Sequence, residues 1–308
     1  MRRVTLGSTA LEVTPVCFGC WQMGQTFWGK VPEQALIEAV RAALDAGINF
    51  FDTADAYGDG VAEETLGRAL RGVPRSQVVV ATKVYHHFYP DGRRHPDLSE
   101  RYIVQACEAS LRRLGMEHID LYLCHAFDQF TPLEETALAM ATLEKQGKIC
   151  AYGVSNFTLE QLRAARRCGD FETVQPYYNL LEPDIEKDLL PYCQVENLGV
   201  LVYSPLLRGL LTGKFTGAET FTDLRGNDDR FKGERFRAIV ARVEKLRPIA
   251  QQKGCTVTQL ALAATVAHPA IHCAIVGIKN ADQVREAAGA ADVELTREEY
   301  HAVRRALA

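Results

Sequence analysis

Three apolar runs in the first half of the chain each end in a side chain that can move or stabilise a proton. Asp52 follows a pair of phenylalanines, Lys83 ends a β-branched run, and His125 ends a run that contains two leucines. Tyr57 stands in the loop after Asp52, next to a glycine. A carboxylate, a phenol, an amine and an imidazole are groups that deliver a proton to an oxygen and stabilise developing charge. The residue types therefore predict acid–base chemistry at an oxygen atom.

The phenol of Tyr57 is the proton donor that we favour. A phenol has a pKa of about 10, which is too high for a responsive acid at neutral pH unless a nearby cation stabilises the phenolate. Lys83 can be that cation, and Asp52 can keep Lys83 charged and oriented. His125 is a second donor that orients the substrate oxygen. Taken singly, these residues have structural explanations as a surface tyrosine, a solvated lysine and a core histidine.

The ends of successive strands position these residues. In a parallel barrel the reacting groups come from the carboxyl ends of different strands. Eight predicted strands alternate with helices, which favours a closed parallel barrel over an open doubly wound sheet. The open sheet would also carry a Gly-x-Gly-x-x-Gly turn after its first strand, and the sequence has none. We predict an α/β fold made of one (β/α)8 barrel, with an N-terminal β-hairpin and extra C-terminal helices.

The spacing of apolar residues and of turn signals predicts the bounds of these elements. A hairpin of residues 3–6 and 11–13 around Gly7 should plug the bottom of the barrel. Predicted barrel strands are 16–19, 50–52, 78–83, 119–125, 150–155, 173–176, 199–203 and 273–276. Predicted helices are 32–46, 62–70, 99–114, 132–146, 158–168, 185–195, 234–253, 256–267, 281–289 and 297–306. No linker divides the chain, so we predict a single domain over residues 1–308.

The motifs around these residues resemble those of the aldo-keto reductases. Asp52, Tyr57, Lys83 and His125 match the Asp-Tyr-Lys-His tetrad of that family in order and spacing. The local contexts match too: Asp-Thr-Ala-Asp-x-Tyr-Gly, Thr-Lys, and His-x-x-Asp through Asp128. The resemblance covers the whole chain and is to the bacterial branch, which is also similar to potassium-channel β subunits. It implies a TIM barrel and reduction of a carbonyl group by a nicotinamide cofactor.

The resemblance also implies where a nicotinamide ring would lie. Ser155, Asn156 and Gln175 look like the family's ligands of the carboxamide, and Tyr203 looks like the residue that stacks on the ring. An alternative for Ser155-Asn156 is a cap for the helix that begins near Thr158. Both roles are compatible with one segment.

Two later segments resemble the family's pyrophosphate and adenosine sites. They are 203–214, with Ser204 and Lys214, and 275–286 at the start of the last barrel helix, whose N-terminus suits a phosphate. Val276 stands where many relatives carry a proline, and Ala287 where many carry an asparagine. The full set of predicted cofactor contacts is Gly19, Cys20, Trp21, Asp52, Ser155, Asn156, Gln175, Tyr203, Ser204, Pro205, Leu206, Arg208, Gly209, Lys214, Arg225, Gly277, Lys279, Gln283 and Glu286.

Charge near the adenosine segment favours NADP as the cofactor, with NAD as the alternative. The 2′-phosphate of NADP needs cationic groups beside it. Lys279 follows Gly277 by two residues, and Arg225 or Arg230 can fold over from the long loop after strand seven. Gln283 offers a hydrogen bond but no charge.

Aromatic residues near the strand ends predict the mouth of a substrate pocket. We expect its wall to contain Trp21, Trp28, Tyr85, His86 and Phe88, together with Phe27 and His87. His86 and His87 could also be read as a metal pair, but adjacent strand residues point to opposite sides. No carboxylate cluster completes such a site, so we predict no metal.

Composition narrows the classes of partner and the cellular location. The net charge is −4 and basic runs are short, so nucleic acid and anionic membranes are unsuited partners. No apolar stretch approaches the length of a membrane span or a signal core, and we expect a cytoplasmic protein. Nine cysteines at irregular spacings predict reduced thiols. For Cys17-x-x-Cys20 we favour a structural role over a redox or zinc role.

Two functions remain open at this stage. The first is an NADP-dependent oxidoreductase that reduces aldehydes or ketones, or oxidises the corresponding alcohols or sugars. The second is a cofactor-binding redox sensor or regulatory subunit with little turnover, as the similarity to channel β subunits suggests. The sequence does not identify the substrate, because the loops that shape the pocket do not follow a rule that transfers from one protein of a fold to another. It leaves the oligomeric state open as well.

Overall fold

Eight parallel strands close into a barrel in the computed structural model, which describes residues 1–25, 30–89 and 91–308. Around the barrel the strands follow the order β10-β11-β12-β3-β4-β5-β8-β9. They are β3 Val16–Gly19, β4 Phe50–Asp52, β5 Val79–Val84, β8 Ile119–Cys124, β9 Ile149–Ser155, β10 Thr173–Gln175, β11 Gly199–Tyr203 and β12 Cys273–Gly277. The predicted closed parallel barrel is therefore confirmed.

Helices follow the barrel strands, and others extend the C-terminal part of the chain. They are α1 Glu33–Asp45, α2 Val61–Ala69, α3 Glu100–Leu114, α4 Leu133–Lys145, α5 Leu159–Cys168, α6 Leu189–Val195, α7 Gly233–Glu244, α8 Arg247–Gln252, α9 Val257–Val266, α10 Ala281–Ala288 and α11 Arg297–Leu307. Sequence signals account for several of their starts. Thr158 caps α5 and Thr256 caps α9, each in a capping box with a glutamine three residues later.

The N-terminal hairpin closes the amino end of the barrel. It pairs β1 Val4–Thr5 with β2 Glu12–Val13. Leu6 and Val13 are fully buried and join the cluster of apolar side chains that fills the barrel. Gly7 has a φ of +60°, and a Cβ there would lie 2.1 Å from the backbone nitrogen of Gly199. Only glycine allows this close approach, and the predicted hairpin cap is confirmed.

Alternation along the barrel strands decides which side chains enter the barrel. Successive residues of a strand point to opposite faces. The interior cluster contains Phe50, Ala81, Leu121 and Leu123, whereas their immediate neighbours pack outward against the helices. Continuing each alternation by two residues places Asp52, Lys83 and His125 on the inner side at the carboxyl end. The register of the apolar core thus fixes the direction of three reactive side chains.

Three predicted elements differ from the structure. The helix expected over 234–253 is split between Glu244 and Arg247, because Pro248 has no N–H for the helical hydrogen bond and its ring clashes with the preceding turn. The helix expected over 185–195 begins only at Leu189, after a 3-10 turn at Asp184–Glu186. The loop expected after Lys83 contains an antiparallel hairpin of β6 His86–Phe88 and β7 Arg94–Pro96.

No helix in the described part of the chain is long and apolar enough to cross a membrane.

Candidate active site

Lys83 is the centre of the polar cluster at the carboxyl end of the barrel. Its Nζ atom lies 2.7 and 2.9 Å from the two carboxylate oxygens of Asp52, 2.8 Å from the carbonyl oxygen of Thr53, and 3.3 Å from the hydroxyl of Tyr57. Lys83 has no exposed surface and Asp52 is almost fully buried. A buried ammonium needs such partners, since an unpaired charge away from water is costly. The cation is therefore held within reach of the phenol.

Tyr57 is carried by the loop between β4 and α2. Its ring lies 5.8 Å from the His125 ring in an edge-on arrangement with an angle of 80°. The Lys83 ammonium is 5.0 Å from the centroid of the Tyr57 ring. Gly58 has a φ of +65°, and a Cβ there would lie 2.5 Å from the carbonyl oxygen of Gly24. The loop therefore needs glycine directly after the tyrosine to hold this position.

Burial outweighs the effect of the lysine on the acidity of Tyr57. Desolvation raises the pKa of Tyr57 to about 12, although the positive charge of Lys83 acts to lower it. Lys83 thus acts in the direction expected from the sequence, and desolvation acts against it with the larger effect. Desolvation also acts to lower the pKa of Lys83, yet the Asp52 carboxylate and Tyr57 overcome it and the pKa lies above its ordinary value. Lys83 is charged and Tyr57 protonated at neutral pH.

His125 is neutral at the same pH. Burial lowers the pKa of His125 well below its usual value, and the nearby charges of Lys83 and His86 add to this effect. Its Nδ1 atom is buried without a hydrogen-bond partner among the described residues. A neutral imidazole carries one N–H, so His125 can donate a single hydrogen bond to an oxygen in front of Tyr57.

A cavity of about 850 Å³ begins at this cluster and runs across the carboxyl ends of the strands. Most of the predicted cofactor residues line it. Those on its wall are Gly19, Trp21, Asp52, Ser155, Asn156, Gln175, Tyr203, Ser204, Pro205, Leu206, Arg208, Gly209, Lys214, Arg225, Gly277, Lys279, Gln283 and Glu286. Cys20 is not brought to the wall. Its thiol is fully buried, and burial together with the Asp52 carboxylate raises its pKa well above the ordinary value.

Amide and hydroxyl groups form a connected network beside the tetrad. The side-chain amide of Asn156 donates to the carbonyl of His125 at 2.8 Å and to the Ser155 hydroxyl at 3.1 Å. The hydroxyl of Tyr203 donates to the side-chain oxygen of Asn156 at 2.7 Å. Gln175 donates to Asp52 at 2.7 Å. The predicted carboxamide ligands therefore lie together and touch two members of the tetrad.

The segment after β11 holds an unusual run of backbone conformations. Ser204, Leu207, Arg208 and Gly209 all have positive φ values, of 60°, 46°, 54° and 95°. Three of these four are not glycine, and such residues adopt this region only where the surroundings enforce it. Strained backbone of this kind is concentrated at ligand sites, and this segment is the one predicted to hold a pyrophosphate.

Three cations meet on the wall formed by the segments after β11 and β12. Burial lowers the pKa of Lys214, and the charges of Arg225 and Lys279 lower it further. The pKa of Lys279 is likewise lowered by burial and then by Arg225. Arg225 is itself held by Asp223, with Nη2 2.6 Å from the carboxylate, and lies over the ring of Phe221 at 4.5 Å. An anion between these groups would relieve their mutual repulsion.

Arg230 lines the same cavity but is engaged by carboxylates. Its guanidinium lies 2.7 Å from Asp228 and 2.9 Å from Glu182, and it also donates to the hydroxyl of Tyr177 at 2.8 Å. Of the two arginines predicted to fold over the adenosine, Arg225 is therefore the one whose charge acts on Lys214 and Lys279. Arg230 instead binds residues of the protein itself.

Three of the predicted substrate residues, Tyr85, His86 and Phe88, lie next to one another on the segment after Lys83. Tyr85 and His86 contact each other edge-on at 4.8 Å, and His86 contacts Phe88 at 6.3 Å. These three do not line the large cavity, whereas Trp21 does. Phe27 and Trp28 lie outside the described residues. The charge of His86 acts on His125, which places it near the reactive end of the site.

His87 belongs to an aromatic stack rather than to a pair with His86. Its ring stacks on Tyr102 at 4.4 Å and on His95 at 5.1 Å. Its Nδ1 atom is 2.9 Å from Asp97. His87, His95 and Asp97 bring possible ligand atoms within 4.8 Å of one another. The lone pairs of His87 and His95 lie in nearly parallel ring planes and do not point at a common metal position. The arrangement of His87, His95 and Asp97 therefore favours ring stacking over metal binding.

Sequence reasoning missed several residues of the wall, among them Gln22 and Tyr177. Gln22 fits against Gly277, where a Cβ would lie 2.0 Å from its amide nitrogen. Tyr177 packs edge-on against Tyr203 at 5.5 Å. Their positions in the sequence could have predicted them, because Gln22 directly follows Trp21 and Tyr177 comes two residues after Gln175, and both of those were predicted cofactor contacts.

Known proteins share both the motifs and the fold. A sequence model described as the aldo/keto reductase family matches residues 15–308. The chain belongs to the aldo/keto reductase family. This aldo/keto reductase is 38% identical over 288 residues to aldo-keto reductase YhdN of Bacillus subtilis, covering 92% of this chain and 87% of that protein. It is 32% identical to an NADH-specific methylglyoxal reductase of Escherichia coli, with coverage of 96% and 95%.

Other relatives extend the comparison. A probable voltage-gated potassium channel subunit beta of Arabidopsis thaliana is 33% identical, with coverage of 95% and 92%. The structure of a glycerol dehydrogenase from Gluconobacter oxydans superposes with a TM-score of 0.92 at 36% identity, covering 99% and 94%. An aldo/keto reductase from Klebsiella pneumoniae, solved with NADP and acetate, gives a TM-score of 0.77 at 33% identity, covering 99% and 95%. The resemblance inferred from the tetrad motifs is confirmed.

Proposed function

We propose that this aldo/keto reductase is an NADP-dependent enzyme that reduces aldehydes or ketones, or oxidises the corresponding alcohols or sugars, with Tyr57 as the general acid. One observation carries the proposal. Lys83 contacts Asp52 and the hydroxyl of Tyr57, and both of these residues line the cavity, where the phenol can reach a bound oxygen. This arrangement supports proton transfer coupled to a change of charge on that oxygen.

Unpaired polar groups support a dinucleotide in the cavity. The side-chain oxygen of Gln22 and the hydroxyl of Thr258 are buried, line the cavity and have no hydrogen-bond partner among the described residues. Buried polar atoms without partners are rare in proteins unless a ligand or water satisfies them. Together with the lysines and the strained Ser204 segment, these atoms provide donors and acceptors along the whole cavity. The residues present therefore fit an extended, anionic cofactor.

The reactive residues have separable tasks. Asn156 and Gln175 would hold a reduced nicotinamide, which would supply the hydride. Tyr57 gives its proton to the carbonyl oxygen, and Lys83 stabilises the resulting phenolate. Asp52 keeps Lys83 charged and aimed. His125, being neutral, donates a hydrogen bond that orients the carbonyl.

Charge supports NADP as the preferred cofactor. A phosphate on the adenosine ribose gains charge-assisted bonds from lysine or arginine, and Lys214, Arg225 and Lys279 all line the cavity. The Escherichia coli relative is NADH-specific, and the Klebsiella pneumoniae relative was solved with NADP, so the family accommodates both. The pKa values of Lys214 and Lys279 are lowered by burial and by the charge of Arg225, so this group of cations favours the more anionic ligand.

Turnover distinguishes the enzyme from the second candidate, a cofactor-binding regulatory subunit, which the similarity to a plant channel subunit favours. The test is steady-state oxidation of NADPH with a panel of small aldehydes, ketones and sugars, with the alcohol panel run in reverse. Turnover that disappears in Tyr57→Phe supports the enzyme. Tight NADPH binding without turnover on any member of the panel supports the regulatory subunit instead. A single domain over residues 1–308 and a cytoplasmic location stay predictions.

A further inference from the structure

A second group of potential metal ligands lies at the opposite end of the barrel from Tyr57. His118 directly precedes β8, Asp120 is the second residue of β8, and Cys150 is the second residue of β9. The register pairs Ile119 with Ile149, so Asp120 and Cys150 are neighbours on adjacent strands. Leu121 points into the barrel, and the alternation therefore turns these three side chains outward.

The three side chains converge. The Nε2 atom of His118 is 3.9 Å from Oδ1 of Asp120. The imidazole nitrogen, the carboxylate oxygen and the Cys150 sulfur all lie within 4.8 Å of one another. Ligand atoms around a tetrahedral Zn²⁺ are separated by roughly 3–4 Å, given bonds of about 2.0–2.3 Å. Small side-chain movements would therefore bring the three ligand atoms to the separations of a tetrahedral Zn²⁺ site.

Arg75 already orients the carboxylate. It donates to Oδ2 of Asp120 at 2.5 Å, and the backbone N–H of Val80 donates to the same oxygen at 2.7 Å. Arg75 also donates to the carbonyl of His118 at 3.1 Å. Oδ2 is thus occupied, and Oδ1 is the oxygen turned toward His118. Groups that hold a ligand from behind in this way are typical of protein metal sites.

We propose that His118, Asp120 and Cys150 form a Zn²⁺ site that ties the amino ends of β8 and β9 together, with a fourth position open to water. Nitrogen, oxygen and sulfur donors in one set suit Zn²⁺ better than the hard cations Mg²⁺ and Ca²⁺.

The direct test titrates Zn²⁺ into the reduced protein against a chromophoric chelator. One Zn²⁺ per chain is expected, and Cys150→Ser and His118→Ala should each weaken binding by at least about tenfold. Cys168→Ser removes a partly exposed thiol on α5 and serves as the matched control. It should bind Zn²⁺ like the wild type. Co²⁺ in place of Zn²⁺ should give a thiolate charge-transfer band that only Cys150→Ser abolishes.

The melting temperatures of the variants and the position of the bound Zn²⁺ provide two further tests. Zn²⁺ should raise the melting temperature of the wild type and of Cys168→Ser but not of Cys150→Ser, because binding to the native state stabilises it. Circular dichroism confirms that each variant folds. Zn²⁺ affinity unchanged by both Cys150→Ser and His118→Ala would overturn the proposal. A loss confined to His95→Ala would place the ion at the β6–β7 hairpin and overturn it equally.

Discussion

The side-chain amide of Gln175 donates a hydrogen bond of 2.7 Å to Oδ2 of Asp52, the oxygen that also lies 2.9 Å from Lys83. Both residues are almost fully buried. The residue predicted to hold the nicotinamide carboxamide therefore also touches the carboxylate of the tetrad. Through this contact the cofactor-binding network and the proton-donating network share one side chain.

This contact predicts an order of stability among Gln175 variants. Gln175→Leu leaves an oxygen of Asp52 with one bond fewer and should lower the free energy of unfolding by about 1–3 kcal/mol. Gln175→Glu should cost more, because it places a second carboxylate against Asp52 in a buried site. Urea unfolding at pH 7 measures both values. A Gln175→Glu variant as stable as Gln175→Leu would show that the contact does not exist in solution.

Replacing the proposed proton donor should stop the reaction but spare the cofactor. Tyr57→Phe should reduce the rate of carbonyl reduction by about 100-fold or more, the usual scale of general acid catalysis. NADPH binding should stay within about threefold of the wild type, which fluorescence quenching measures. Tyr192→Phe, on α6 and remote from the cavity, is the control and should keep full activity. A Tyr57→Phe rate close to that of the control would remove Tyr57 from its assigned role.

The pH profile should reflect the raised pKa of Tyr57. Its value of about 12 exceeds the ordinary phenol value of about 10. The phenol therefore stays protonated as the pH rises through about 10, and kcat/KM for reduction should show no loss from its ionisation there. A loss centred near pH 9 in the wild type and absent in Tyr57→Phe would contradict the assignment of a raised pKa.

Lys83→Met should destabilise the protein. Removing the ammonium leaves the Asp52 carboxylate buried without its cation, which costs about 3–5 kcal/mol. Adding Asp52→Asn removes the unpaired charge and should recover part of the loss. Urea unfolding at pH 7 measures both values, and a Lys83→Met variant as stable as the wild type would contradict the buried ion pair.

His125 should affect substrate orientation more than proton supply. His125→Ala should lose different amounts of kcat/KM with different aldehydes and ketones, because the lost hydrogen bond positions each carbonyl differently. Since the pKa of His125 is lowered well below its usual value of 6.5, the wild-type profile should be flat through pH 6.5. A uniform loss equal to that of Tyr57→Phe, or a break at pH 6.5 absent in His125→Gln, would refute this division of roles.

Cofactor preference should depend on Lys279. Charge-assisted hydrogen bonds contribute roughly 1.5–3 kcal/mol each, so Lys279→Glu should weaken NADPH binding by about tenfold or more. NADH binding should change little, because the added phosphate is the only difference. Lys145→Glu, on α4, makes the same change of charge elsewhere and is the control. Equal affinity of the wild type for NADPH and NADH would refute the preference.

The sequence by itself determined the barrel and the tetrad, because both depend on local patterns. Short apolar runs followed by helices imply a parallel barrel. Asp52, Lys83 and His125 all stand at the carboxyl ends of strands, and alternation along each strand turns their side chains inward. The hairpin plug followed from a glycine between two short strands. The split at Pro248 was also available in the sequence, since proline interrupts a helix for reasons that act within one turn.

Only the tertiary structure decided which distant groups touch. Gln175 and Asp52 are 123 residues apart in sequence, and they meet because the barrel closes and turns the ends of β4 and β10 inward. The pKa of Tyr57 depends on how many protein atoms exclude water around it, and the sequence alone does not give that number. The convergence of His118, Asp120 and Cys150 likewise depends on the register between β8 and β9, a relation between strands that neither strand encodes alone.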